Sequence, residues 1–246
     1  MSVKQLSPHP PPKPPGASPA TRGLFVTGTD TGAGKSVVSA ALLAAMSAAG
    51  EPARAHKPVL TGLDEPAEPS DWPPDHELLA SACGMRPEDV APRRYGPAVS
   101  PHLAAELAGE RIDPDGLLAA AHEQAAAGHT LVVEGVGGLL VPLAESYAVR
   151  DLAVALGLPV VIAARPGLGT INHTLLTLGA ARDAGLQVRA VVLTPWPARA
   201  STMERSNRET IARLGDIEVH GLADIAAPDR EELARAGAAL PWRSWL

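Results

Sequence analysis

Residues 26–36 read Val-Thr-Gly-Thr-Asp-Thr-Gly-Ala-Gly-Lys-Ser and overlap the apolar run Leu24-Phe25-Val26. A glycine-bearing turn between a strand and a helix lets backbone N–H groups converge on phosphate oxygens, and the helix N-terminus adds positive dipole. The ending Gly34-Lys35-Ser36 is that of a phosphate-binding loop, with Lys35 on the β- and γ-phosphates and the Ser36 hydroxyl on magnesium. The spacing is unusual. Five residues separate Gly28 from Gly34, where the common pattern has four. Ser36 alone would serve as well as an ordinary N-cap.

Outward from this loop, apolar runs alternate with Ala-rich helical stretches, the mark of an α/β fold with a mainly parallel sheet flanked by helices. Strands are predicted over 23–27, 53–59, 130–133, 159–164, 188–193 and 217–219. Helices are predicted over 36–49, 76–82, 101–109, 113–127, 151–156, 172–184 and 203–214. Residues 23–246 read as a single P-loop NTPase-like domain. The first twenty residues carry seven prolines, so a disordered tail is expected through residue 22.

The chain has 246 residues, 46% hydrophobic and 20% charged, enough to bury a substantial core. A net charge of −6 argues against nonspecific nucleic-acid binding, which needs a basic face. The single cysteine, Cys83, excludes an intrachain disulfide and a cysteine-rich metal site, and reads as a small half-buried residue. No apolar run approaches a membrane span, and the N-terminus lacks a signal-peptide core. The reduced cytoplasm is the expected location.

A phosphate loop needs a carboxylate for its metal, usually at the end of a buried strand. Leu131-Val132-Val133-Glu134-Gly135-Val136-Gly137-Gly138 supplies one at the carboxyl edge, where open α/β sheets bind ligands. Lys57, in His56-Lys57-Pro58-Val59-Leu60-Thr61-Gly62, ends another strand. There it would add positive charge beside the γ-phosphate, although taken alone such a lysine is more often a surface residue.

Together these stretches, with Asp75-His76-Glu77-Leu78-Leu79, Ser100-Pro101-His102 and Gly169-Thr170-Ile171-Asn172-His173, resemble the dethiobiotin synthetase family in motif and order. In that family the phosphate loop carries five residues between its glycines. The resemblance implies ATP-dependent closure of a cyclic urea on diaminopelargonic acid. One amine takes up carbon dioxide (supplied as bicarbonate) as a carbamate, whose oxygen attacks the γ-phosphate. The second amine then closes the ring, releasing phosphate.

Carried over residue by residue, the resemblance implies catalytic roles for Lys57, Lys35 and Thr31. It implies nucleotide contacts from Gly32, Ala33, Gly34, Lys35, Ser36 and Val37, and from Glu134, Gly135, Val136 and Gly137 after the third strand. Ser36, Asp75 and Glu134 match the Mg2+ ligands, and Asp75 fits equally as an N-cap of the helix at His76. Thr61 matches a substrate contact. Gly169, Thr170, Ile171 and Asn172 match a helix start whose amides bind the substrate carboxylate across a homodimer interface, and Asn172 would also serve as an N-cap. Ser100-Pro101-His102 matches a substrate-side segment.

Two departures stand out. Many members read adenine with an Asn-Asp pair, whereas here Thr194-Pro195 occupies the strand end, which leaves the base open between ATP and CTP. Gly32 stands where some members carry Glu. Two rival readings share the phosphate loop. Partition-type ATPases carry a second lysine where Asp30 stands, and the amidating synthetases of cobalamin biosynthesis need a glutaminase domain with a nucleophilic cysteine.

Overall fold

The computed structural model describes residues 21–65 and 72–246. The Pro-rich tail up to residue 20 and the middle of the 64–74 loop lie outside the described residues. Thr21 and Arg22 are described; Arg22 ion-pairs with Glu51 and donates to Thr130 Oγ1 at 2.9 Å.

The strands are β1 (Gly23–Gly28), β2 (Ala53–His56), β3 (Thr130–Gly138), β4 (Pro142–Ala144), β5 (Tyr147–Ala148), β6 (Val160–Ala164), β7 (Val188–Trp196) and β8 (Glu218–Ala223). The helices are α1 (Lys35–Ala48), α2 (Asp75–Cys83), α3 (Pro87–Val90), α4 (Pro101–Leu107), α5 (Pro114–Ala125), α6 (Val149–Leu156), α7 (Thr170–Asp183), α8 (Thr202–Gly215), α9 (Arg230–Ala238) and α10 (Trp242–Trp245). Six strands form one parallel sheet in the order β2-β3-β1-β6-β7-β8, and β4–β5 is a separate antiparallel hairpin.

Side chains alternate across a strand, and β1 shows the consequence. Leu24 and Val26 join a core with α1, α2, α9 and α10, while Phe25 joins the opposite core with α5 to α8. The chain runs from β1 toward the β2 edge, then crosses back to β6. That reversal makes the carboxyl end of β1 the topological switch point, where a crevice opens between diverging crossovers.

The predicted second strand is cut short. It ends at His56 because Pro58 cannot donate to a ladder, which leaves Lys57 just beyond the sheet with its N–H on Val90 O at 2.8 Å. The third runs on from Val133 to Gly138, carrying Glu134 inside the ladder beside Val26. The fifth, β7, continues through Thr194-Pro195 to Trp196, with an irregular register after Leu193 and a cis bond before Pro195.

The hairpin, α3, α9 and α10 go beyond the predicted elements. α9 backs onto α1 so closely that a Cβ on Gly237 would overlap the Ala41 carbonyl. Trp242 and Trp245 of α10 close that core from one end. Cys83 is half-buried, its Sγ on Leu79 O at 3.2 Å, and burial pushes its thiol up. Among the described residues no helix is long and apolar enough to cross a membrane.

Candidate active site

The loop after β1 closes on itself and opens its amides to one side. Gly32 and Gly34 both sit in the left-handed region, at φ 72° and 86°, which a residue with a Cβ adopts only at a cost. Gly34 is the N-cap of α1, so the helix begins at Lys35 and Ser36 is not the cap. The Lys35 ammonium turns back to donate to Asp30 O at 3.0 Å. Burial is the largest influence on that ammonium and lowers its pKa, with the charge of Lys57 acting the same way and Glu134 opposing.

Sheet register brings the remaining charges to this loop. His56 of β2 is level with Val133 of β3, so the next residues along, Lys57 and Glu134, meet at the carboxyl edge. Lys57 is 2% exposed and Glu134 0%, which disposes of the surface-lysine reading. Lys57 Nζ donates to Glu134 Oε1 at 2.6 Å and also pairs with Asp75, while Ser36 Oγ donates to the same Glu134 oxygen at 2.9 Å. Glu134 Oε2 is buried without a partner.

Asp75 is the first residue of α2, with Pro74 as N-cap and no side-chain cap bond, so the N-cap reading is not realised. Its carboxylate reaches inward to Lys57 and stays 41% exposed on its outer side. Burial alone would depress the Lys57 ammonium, but the two carboxylates outweigh it and the net direction is upward. Burial likewise opposes ionisation of Asp75, and the Lys57 charge overrides it, so its carboxyl is held low. Lys57 and Asp75 are therefore both charged at neutral pH. Removing either carboxylate would leave the buried lysine undercompensated.

Lys57 and Asp75 border a cleft of about 640 Å3, whereas Glu134 is buried behind them and is not on its lining. Thr31, Gly32, Gly34, Lys35, Ser36 and Val37 line one wall. Lys57, Thr61, Asp75, Val136 and Gly137 line the rest, together with Ser100 and Pro101. His102 instead borders a separate surface depression, its Nδ1 3.1 Å from Ser100 Oγ. Other predicted residues are not on the lining. Ala33 is buried under the loop. Gly135 faces the other core, where a Cβ would meet Val149 and Phe25. Thr194 is buried with its methyl against Gly34, and Pro195 follows it.

Gly169, Thr170, Ile171 and Asn172 begin α7 away from this cleft. Gly169 is the N-cap at φ 90°, so Asn172 lies inside the helix rather than capping it. Trp72, Val99 and Val141 line the cleft without having been singled out. Trp72 alone had a signal, as an aromatic three residues before Asp75 in a Pro-rich loop.

A family model described as an AAA domain matches residues 22–225. The chain is 42% identical over 222 residues to an ATP-dependent dethiobiotin synthetase of Anaeromyxobacter sp. (strain Fw109-5), covering 85% of this chain and 94% of that protein. It belongs to the dethiobiotin synthetase family. A second synthetase, from Haloferax mediterranei, is 36% identical over 217 residues, covering 86% of this chain and 88% of its own. The fold is also that of chloroplast FtsY from Physcomitrella patens, at 14% identity and TM-score 0.50, over 90% of this chain and 66% of that one. Family membership and the cleft agree on a P-loop enzyme that uses a nucleotide.

Proposed function

We propose that this chain is a cyclo-ligase that forms dethiobiotin from diaminopelargonic acid, carbon dioxide and ATP. Beyond the family, the observation that carries this reading is the buried Lys57 on the lining of the cleft that the phosphate loop also borders. An ATPase that only switches or moves has no evident use for a fixed ammonium on the substrate side. A carbamate attacking the γ-phosphate does, because negative charge gathers there and fixed charges stabilise it without reorganising.

In this reading the carbamate oxygen bonds to the γ-phosphorus as the bond to ADP breaks. The second amine attacks the carbamoyl carbon, phosphate leaves with the electron pair of the C–O bond, and the amine loses a proton. Lys35 and the loop amides hold the phosphates. Lys57 and Thr31 orient the carbamate against them, and Thr61 contacts the diamine.

Ser36, Asp75 and Glu134 would hold Mg2+. A hydroxyl and two carboxylates are hard oxygen donors suited to it, and the unpaired buried Oε2 of Glu134 supports the fit. Among the described residues no group of three or more His, Cys, Asp or Glu is placed to hold a metal ion by itself, so these three side chains would hold it together with the nucleotide. The ion supplies neutralisation of phosphate charge when bound.

A second copy would complete the site by offering its α7 start to the substrate carboxylate. Supporting this, Gly169–Asn172 lie off their own cleft, and Leu168 beside them is 93% exposed. The phosphate-loop fold suits a cytoplasmic enzyme.

The test is phosphate release from ATP with bicarbonate, with and without diaminopelargonic acid. Release that depends on the diamine is expected. Equal release without it would reject the ligase in favour of a partition-type or regulatory ATPase.

A further inference from the structure

The phosphate loop is gripped from outside by an arginine to which neither the motifs nor the proposed chemistry assigns a role. Arg165, directly after β6, donates from Nε to Gly32 O at 2.9 Å and from Nη2 to Thr31 O at 3.5 Å. Its guanidinium lies over Gly32, where a Cβ would come within 2.6 Å of Nη2.

A trans peptide points its C=O and N–H in opposite directions. Holding the carbonyls of Thr31 and Gly32 on the outside therefore turns the N–H groups of Gly32 and Ala33 inward, the direction a phosphate needs. A planar guanidinium suits two successive carbonyls because its donors form a rigid fork.

Arg165 is itself fixed from behind. The next two carbonyls, of Pro166 and Gly167, both accept from Asn207 Nδ2 of α8, at 2.9 and 3.2 Å. Asn207 is 7% exposed, and its amide is spent on this one turn. Asn207 of α8 thus braces the turn that carries Arg165, and Arg165 in turn holds the phosphate loop.

We propose that Arg165 is a positioning residue that presets the phosphate loop for nucleotide, and that Asn207 acts through Arg165. The inference rests on the reading that this loop holds nucleotide phosphates. Arg165 is exposed, so its replacement leaves the core intact.

Calorimetric titration with Mg-ATP tests it on the full chain and on Arg165→Ala, Arg165→Lys, Asn207→Ala and the Arg165→Ala/Asn207→Ala double variant. Arg165→Ala should weaken ATP about tenfold, and Arg165→Lys nearly as much, because a point charge cannot span both carbonyls. In turnover the KM for ATP should rise while that for the diamine stays within about twofold. Asn207→Ala should weaken ATP about threefold alone and add nothing in the Arg165→Ala background, as members of one network do.

Unchanged ATP affinity in Arg165→Ala would overturn the inference, and so would full affinity in Arg165→Lys. Additive effects of the two alanines would remove Asn207 from it. Should Asn207→Ala not fold, the two Arg165 variants decide. A parent protein that binds no Mg-ATP would instead refute the phosphate-loop reading beneath it.

Discussion

His56, the residue before Lys57, should make this protein lose stability in mild acid. Ala53 and Ala55 of β2 join the α1 core, so alternation sends His56 to the opposite face, against α5. It is almost wholly buried, and neither ring nitrogen has a partner. Burial pushes its pKa from 6.5 down to about 4. The unfolded chain therefore takes up a proton between those values while the folded chain does not. Stability is full above pH 6.5, falls as pH drops through the window, and levels off below about 4.

Each pH unit is worth about 1.4 kcal/mol. The loss is about 2 kcal/mol by pH 5 and about 3 kcal/mol over the whole window. Replacing His56 with Leu, of similar volume, sacrifices no hydrogen bond. The variant should match or exceed the parent at pH 7.5 and exceed it by about 2 kcal/mol more at pH 5. Urea unfolding at both pH values measures this difference of differences. Working above pH 5 excludes the low carboxyls of Asp75 and Glu51, and His76, also shifted down, is common to both proteins. A His56→Leu advantage that does not change between pH 7.5 and 5 would refute the argument.

Three further outcomes are expected. Lys57→Ala should cut turnover at least ~1,000-fold while Mg-ATP still binds; near-normal turnover in a stopped assay would remove Lys57 from the chemistry. Gly237→Ala should cost about 2 kcal/mol by driving α9 off α1, lowering the melting temperature by about 6 °C; scanning calorimetry reads it, and an unchanged melt would show that the helices part freely. With Thr194-Pro195 in place of an Asn-Asp pair, diamine-dependent rates with ATP and CTP should lie within about tenfold of each other; a much larger preference for ATP would reject relaxed base selectivity.

The phosphate loop is legible in the sequence because its function is local: glycines, Lys35 and Ser36 act within one turn, and the strand before them is continuous. Glu134 is legible for a similar reason, as a carboxylate ending an apolar run. Lys57 is only half legible. Pro58 marks the end of its strand, but burial against Glu134 depends on the register of β2 with β3, which sequence does not display. Three residues read as candidate caps, Ser36, Asp75 and Asn172, are not caps, because Gly34, Pro74 and Gly169 take that position in each helix. α9 hides because Arg230-Glu231-Glu232 and small residues leave it little apolar pattern, and it is held by close approach to α1. The Arg165 and Asn207 contacts join segments far apart in the chain, beyond any local signal.

The strand order has a consequence in time. β1 leaves the ribosome well before its neighbours β3 and β6, with Leu24 beside Val132 and Phe25 beside Val160. Until β3 has been made, this fully buried strand has nothing to pair with. Pairings this remote close large loops before they are rewarded, which slows folding and exposes unpaired strand edges meanwhile. The same arrangement that puts the phosphate loop at the centre of the sheet leaves Leu24-Phe25-Val26 in need of shelter during synthesis.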